Sequence, residues 1–574
     1  MVDGGVRSSD VRRVLLVVFV VLGVVYALTL APGLTWWDAG ELALAADGFG
    51  IPHPPGTALY VVVARSWHLL LPGVSTVLAT NLLSAMATAA GCALLGGWVA
   101  TSTGDRWSGV AAGITAGAMT SVWRNATETE VYALVFLAIA LVIVAADAAG
   151  RRRGARWRLV TLYALVLGYA LHPGVLVVAP MAALLAWPVA PAVAPVPRPS
   201  ARRKRARTSG WGEMLAAIAL LLLALSALGL LWMRAWHDPV LNQGNAATLE
   251  AWRDVVGRAQ YGSTGAWPRQ SPWWAQVGMV VQYFDWQFAL GVSPSAVPTW
   301  PRAVLSAAAL VVLCIGARWH WQRDRRTARA VAVLLLAGTL GAALALNFKT
   351  GWSFSLGNLS DGAVREVRER DYFFAFGFAA CGVWYGLGVR ALARRAAVAW
   401  PGREFVVGAF GVLAPVLLNW PATTRRGVEA ALPHAFAERI LRELPRDAVF
   451  AASADNELYP LWYLQGAERL RPDVLVLAMP LLPTAWYRAE LARRHQMDVG
   501  TDWAGVAAMR GRVLAAAAKQ GRPVFEPTYA DDSVLKALWV RGGRLVGGHA
   551  EPFSRVVAAL LRSGVVVRTV DGRR

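Results

Sequence analysis

TWWDAGELALAADGFGIPHPPG, residues 35–56, follows the first apolar run of the chain and places two carboxylates, Asp38 and Glu41, one helical turn apart. Trp36 and Trp37 precede the pair. His53 sits inside a Pro-His-Pro-Pro-Gly turn that closes the stretch. Ionisable groups and indoles gathered beside a membrane span are costly to place there and point to a use. The surrounding composition supports the membrane reading: 56% of the 574 residues are hydrophobic and only 16% are charged. That is a polytopic membrane protein and not one soluble core.

The 57 basic residues outnumber the 36 acidic ones, for a net charge of +21. The excess lies in short runs between apolar spans, at 151–158, 198–207, 318–329 and 390–403. This is the pattern of cytoplasmic loops; with no basic-aromatic module present, it argues against a nucleic-acid partner. Cys92, Cys314 and Cys381 all lie in apolar spans and form neither a disulfide framework nor a zinc spacing.

Outward from the opening stretch, 14–30 follows Arg7, Arg12 and Arg13 and lacks a clear cleavage site. It reads as a retained first helix with its N-terminus inside. Further spans are expected at 77–100, 107–122, 131–146, 159–171, 174–190, 214–233, 303–317, 330–347, 372–389 and 404–420. Two other apolar stretches carry ionisable groups: 57–71, with Arg65 and His68, and 274–292, with Asp285. If both lie along the interface as juxtamembrane helices, all four basic runs fall inside. That gives about eleven transmembrane helices, a cytoplasmic N-terminus and an extracytoplasmic C-terminus. It also puts 31–56, 123–130, His172, 235–273 and 348–371 on the outer face. After about residue 421 the charge density rises and helix patterns (434–444, 484–495) alternate with short strands (448–453, 473–478, 565–570). The expected fold is a mainly α-helical membrane module, 1–424, and a small extracytoplasmic α/β domain, 425–574.

Asp38 and Glu41 suit a general base and a partner that tunes or orients it. The structural alternative is an N-cap at Asp38 with Glu41 in the first turn of a helix starting near Ala39. Glu128 and Glu130, in WRNATETEVY, are either a polar helix start or a second acidic group facing Asp38. His172, in LHPGV, shares the outer face with His53; the histidines and acids are too scattered to specify a metal site, though a divalent ion is not excluded by them. Arg234, Lys349, Arg365, Arg368 and Arg370 run against the positive-inside trend and suit a phosphate. Glu366, Glu369 and Asp371 lie close enough in sequence to neutralise the last of these. No Gly-rich nucleotide loop is found, so an activated group at an outer-face site would arrive on lipid. A transporter would show mid-span charges and repeated halves; the spans are nearly charge-free and no repeat stands out.

WWDAGELALAADGFGIPHPPG resembles the signature of a family of integral-membrane glycosyltransferases, formerly catalogued as a domain of unknown function, whose eukaryotic members are protein O-mannosyltransferases. The likeness continues through WRNATETEVYAL, GYALHPG, LNQGNAATLE with QYG, RERDYFF and SADNELYPLWYLQGAERLRPDV, covering most of 10–490. Ser453-Ala454 departs from the family's usual glycine before the Asp-Asn pair. The resemblance implies a GT-C-like fold and transfer of a sugar, mannose or another hexose, from a polyprenyl-phosphate donor to an acceptor hydroxyl with inversion. The tail lacks the helical-repeat extension of the eukaryotic members, so the acceptor is not carried over; a protein Ser or Thr is expected, with a glycolipid or cell-wall polymer as the alternative. It implies Asp38 as base, assisted by Glu41 or Glu130, and a donor phosphate held by Arg234, Lys349, Arg368 and Arg370 with His53 and His172. Substrate contacts would come from Trp36, Trp37, Glu128, Tyr132, Tyr261, Asp371, Asp455 and Asn456. The resemblance fixes no cofactor and leaves a divalent metal open, and the composition suggests a bacterial plasma membrane.

Overall fold

The computed structural model describes residues 6–152, 154–189, 210–262, 265–357, 359, 363–366, 368–501, 504–528, 557–558, 560–562 and 566–570. Among these, eight helices are long and apolar enough to cross a membrane: Ser8–Thr29, Thr76–Thr103, Val131–Arg152, Trp211–Trp236, Trp300–Arg323, Arg325–Leu346, Asp371–Ala399 and Glu404–Thr423. The chain is an integral membrane protein. The expected span at 107–122 divides into Arg106–Gly117 and Thr120–Ala126, and those at 159–171 and 174–190 are the shorter helices Ala155–Tyr169 and Pro173–Ala186. Glycine lets the bundle close tightly: a Cβ at Gly388 would collide with the Val312 carbonyl of the neighbouring helix.

The stretch 274–292 forms the helix Trp273–Ala289, exposed at Trp273, Trp274 and Val281 and buried in its second half at Gln282, Tyr283, Asp285, Trp286, Gln287, Phe288 and Ala289. Its polar side chains find partners inside the protein. Asp285 pairs with the fully buried Arg302 at 2.6 Å, Gln287 donates to Ser121 Oγ at 3.0 Å, and the Tyr283 hydroxyl bonds Glu369 at 2.6 Å. Satisfied in this way, they sit in the interior without the full desolvation penalty.

The tail contains a four-stranded sheet in the order β2-β1-β3-β4, formed by β1 (Val449–Ala452), β2 (Leu475–Ala478), β3 (Val524–Pro527) and β4 (Val567–Thr569). β1 runs parallel to β2 and β3, and β4 is antiparallel to β3. β3 escaped the sequence reading because its four residues, VFEP, are short and contain Glu and Pro, which are depleted in strands.

The tail docks on the opening stretch. Helix Ala39–Gly48 crosses helix Asp455–Gly466 at Gly40, where a Cβ would stand 2.6 Å from the Tyr459 carbonyl oxygen. Asn456 Oδ1 accepts from the Trp37 backbone N–H at 2.7 Å, and Trp36 packs edge-on against Phe436. Arg493 pairs with Asp238 at 2.6 Å on the other side of the junction. Because backbone opposes Gly40, a side chain there has nowhere to go. Gly40→Val should lower stability by about 1–3 kcal/mol through overpacking and open the junction; thermal unfolding and limited proteolysis of the purified protein check this, and wild-type behaviour in both would show that the tail tolerates a wider gap.

Candidate active site

Helix Ala39–Gly48 begins where the structural alternative expects, directly after Asp38, but the Asp38 side chain makes no capping bond. It turns instead to Arg368, whose Nη1 lies 3.4 Å from Asp38 Oδ2 and whose Nη2 lies 3.2 Å from Glu130 Oε1. The guanidinium is sandwiched by aromatic faces, 5.0 Å from the Trp37 ring centre and 4.4 Å from that of Tyr372. Trp37 reaches this position through a left-handed backbone, φ 62°, uncommon for a bulky residue. The loop before it is strapped by Asn81, which donates to the carbonyls of Ala31 (2.9 Å) and Gly33 (3.1 Å) and accepts from Thr129 at 2.6 Å.

Glu41, expected on the same face as Asp38, serves a different group. It is fully buried, accepts from the His53 backbone N–H at 2.6 Å, holds His53 Nδ1 at 2.5 Å, and accepts from Gln243 Nε2. Burial lowers the His53 pKa, but the charge and hydrogen bond of Glu41, with the Asp38 charge, raise it well above the ordinary value, which favours the imidazolium. His172 is the reverse case: burial, then the charges of Arg258 and His53, push it down to about 3. Its Nδ1 accepts from the Gly174 N–H at 3.0 Å, which assigns the ring proton to Nε2, and the ring packs against Tyr132.

The remaining sequence candidates are dispersed. Arg370 is held by Glu366 at 2.7 Å and by the Tyr372 hydroxyl, and the Lys349 backbone N–H bonds the same Glu366. Arg234 donates to the Phe49 carbonyl at 2.7 Å and stacks on its ring. Glu128 pairs with Arg425, where the tail leaves the membrane module. Asp371 accepts from Ser121 at 2.8 Å within the bundle, and Tyr261 is exposed beneath Arg258. Asp455 is solvent-accessible, yet its carboxyl is raised to about 6, first by the protein around it and then by the Asp38 charge, so it lies on the Asp38 side of the tail. Among the described residues no three His, Cys, Asp or Glu side chains are grouped to hold a metal, and Glu41 and Glu130 already have protein partners. Gln243 and Arg258 were missed by the sequence reading. Both stand in motifs that were noticed, LNQGN and the run before Gln260-Tyr261, but a loop sequence does not show which side chain turns inward.

The fold and cleft define an integral membrane protein of the GT-C type. Residues 38–189 match the family model described as "Protein O-mannosyl-transferase TMEM260 N-terminal domain", and 433–501 match "TMEM260-associated domain 2". These matches support an O-mannosyltransferase-like GT-C family, the one its motifs resemble. The mouse protein O-mannosyl-transferase TMEM260 is 24% identical over 504 residues, which cover 85% of this chain and 66% of that relative. The chain thus spans just under two thirds of that relative's length. In fold, the chain is similar to the crystal structure of ArnT from Cupriavidus metallidurans in the apo state, with a TM-score of 0.52, 12% identity, and coverage of 92% of this chain and 95% of that one.

Burial, opposed by Arg368 and reinforced by the Asp38 and Glu128 charges, raises the Glu130 carboxyl from 4.5 to about 8. The folded protein therefore holds this proton across a window where the unfolded chain has lost it. The resulting stability is fully present below pH 4.5 and is lost as pH rises towards about 8. Melting temperature should fall more steeply between about pH 5 and about pH 8 in the wild type than in Glu130→Gln; parallel slopes would mean that Glu130 is ionised throughout.

Proposed function

We propose that the protein is a membrane glycosyltransferase that moves mannose or another hexose from a polyprenyl-phosphate donor to an acceptor hydroxyl, a protein Ser or Thr, with inversion. Asp38 carries this reading. It lies in the matched region, in the cleft between membrane module and tail; Arg368 contacts its Oδ2, and among the described residues Oδ1 has no protein partner. The acceptor O–H gives its proton to Oδ1. The acceptor oxygen bonds the anomeric carbon from the face opposite the phosphate, the carbon–oxygen bond to phosphate breaks, and polyprenyl phosphate leaves with the electron pair. Phosphate is a good leaving group, so no acid is needed on that side.

Glu130, protonated beside Arg368, leaves the guanidinium's charge to Asp38 and keeps that carboxylate in place. Asp455, at the start of the tail helix, faces the same cleft and contributes to an acceptor-binding wall with Asn456, which fixes Trp37. The donor enters sideways from the bilayer. The N-terminus is cytoplasmic and the tail extracytoplasmic, the arrangement that the basic loops support for a bacterial plasma membrane.

The test is transfer of radiolabelled mannose from polyprenyl-phosphate mannose in membranes containing wild type or Asp38→Asn, with folding checked by thermal unfolding. Label should appear with wild type and fall at least about a hundredfold in the variant, in line with loss of a catalytic base; the labelled species then identifies the acceptor. Equal label from both proteins would remove Asp38 as base, and no label from either would exclude this donor.

A further inference from the structure

The cations that the sequence suggests for the donor phosphate are mostly engaged within the protein: Arg368 by Asp38 and Glu130, Arg370 by Glu366, and Arg234 by the Phe49 carbonyl. A guanidinium already paired with the Asp38 carboxylate and hydrogen-bonded to Glu130 is a poor anchor for a further anion. Arg258 is differently placed. It ends helix Leu249–Gly257 in a left-handed conformation, φ 59°, with its backbone N–H bonded to the Asp254 and Val255 carbonyls. Val255 packs on the Pro-His-Pro-Pro-Gly turn, where a Cβ at Gly56 would meet its Cγ1 at 3.3 Å. The same packing brings Arg258 to the His53 turn. Its guanidinium lies 5.2 Å over the Tyr261 ring, and its buried Nε has no partner among the described residues. The charges of Arg258 and His53 both act on His172, which puts the three groups near one another; the His53 Nδ1 is taken by Glu41 and the His172 Nδ1 by Gly174. Each ring keeps its Nε2 for a ligand.

We infer that Arg258, with His53 and His172, cradles the phosphate of the lipid-linked donor, and that Arg368 positions Asp38 and does not bind the donor. The inference rests on the lipid-donor reading above. The Arg258 Nε is shielded from water without a partner, and among the described residues no acid pairs with the guanidinium, so an arriving anion meets an unneutralised cation whose planar fork matches phosphate oxygens. The two imidazole Nε2 groups add donors with no carboxylate oxygen competing at the same atoms. The leaving phosphate then gains its negative charge beside a cation that is not shared with the base.

Binding separates this assignment from catalysis. Undecaprenyl monophosphate is titrated into the full-length protein in nanodiscs, for wild type, Arg258→Gln, Arg258→Lys and Arg253→Gln. Arg253 is an exposed arginine on the same helix and controls for general charge. Arg258→Gln should weaken binding about tenfold or more, the scale of a lost charge-assisted hydrogen bond. Arg258→Lys should fall between it and wild type, and Arg253→Gln should match wild type. Should the glutamine variant fail to fold, the lysine variant decides, since it keeps the charge and loses only the fork. Wild-type affinity in whichever Arg258 variant folds overturns the inference alone. Absence of binding by the wild type overturns the lipid-donor reading with it.

Discussion

The Arg368 guanidinium sits between the carboxylates of Asp38 and Glu130 and is closed above and below by Trp37 and Tyr372. Taking such a cation out of water costs several kcal/mol unless its hydrogen bonds and charges are well matched. Here the match draws together three loops far apart in sequence: the opening stretch, the turn before Val131, and the segment before Asp371. With Glu130 protonated, one cation faces one anion and the triad is neutral. The position of Asp38, and through Trp37 and Asn456 the docking of the tail, depends on this group.

A second charge group lies alongside and is kept separate. Glu41 is consumed by the His53 turn and Gln243, which favours an imidazolium at the cleft without lending a carboxylate to it. The two acids, one turn apart in sequence, therefore act in different environments: one half-open and oriented by an arginine, the other dry and structural. Arg258 extends the positive side, and His172 adds a neutral imidazole beside it. The separation keeps an acidic group apart from the basic ones, the electrostatic arrangement that the proposed displacement of a phosphate would require.

Much of the fold was legible. Apolar spans and basic runs report burial in lipid and charge exclusion from it, and both are local properties of sequence. The tail's α/β character showed in its alternating patterns, while β3 did not, because four residues with Glu and Pro carry no strand signal. The buried second half of helix Trp273–Ala289 escaped for a related reason. Asp285 and the glutamines look like a wet face until their partners Arg302, Ser121 and Ser353 are known.

The sequence by itself determined the membrane module and the α/β character of the tail, and it singled out the stretch from Trp36 to Gly56 as rich in ionisable and aromatic groups, since hydropathy, charge and turn residues act over short range. Only the tertiary structure decided how the charges pair. Arg234 and Arg370, attractive on paper, are neutralised or capped by neighbours, while Arg258, two residues before a motif already noticed, faces the cleft without a carboxylate beside it. Which cation remains available depends on distances between loops hundreds of residues apart, and those distances are fixed by helix packing.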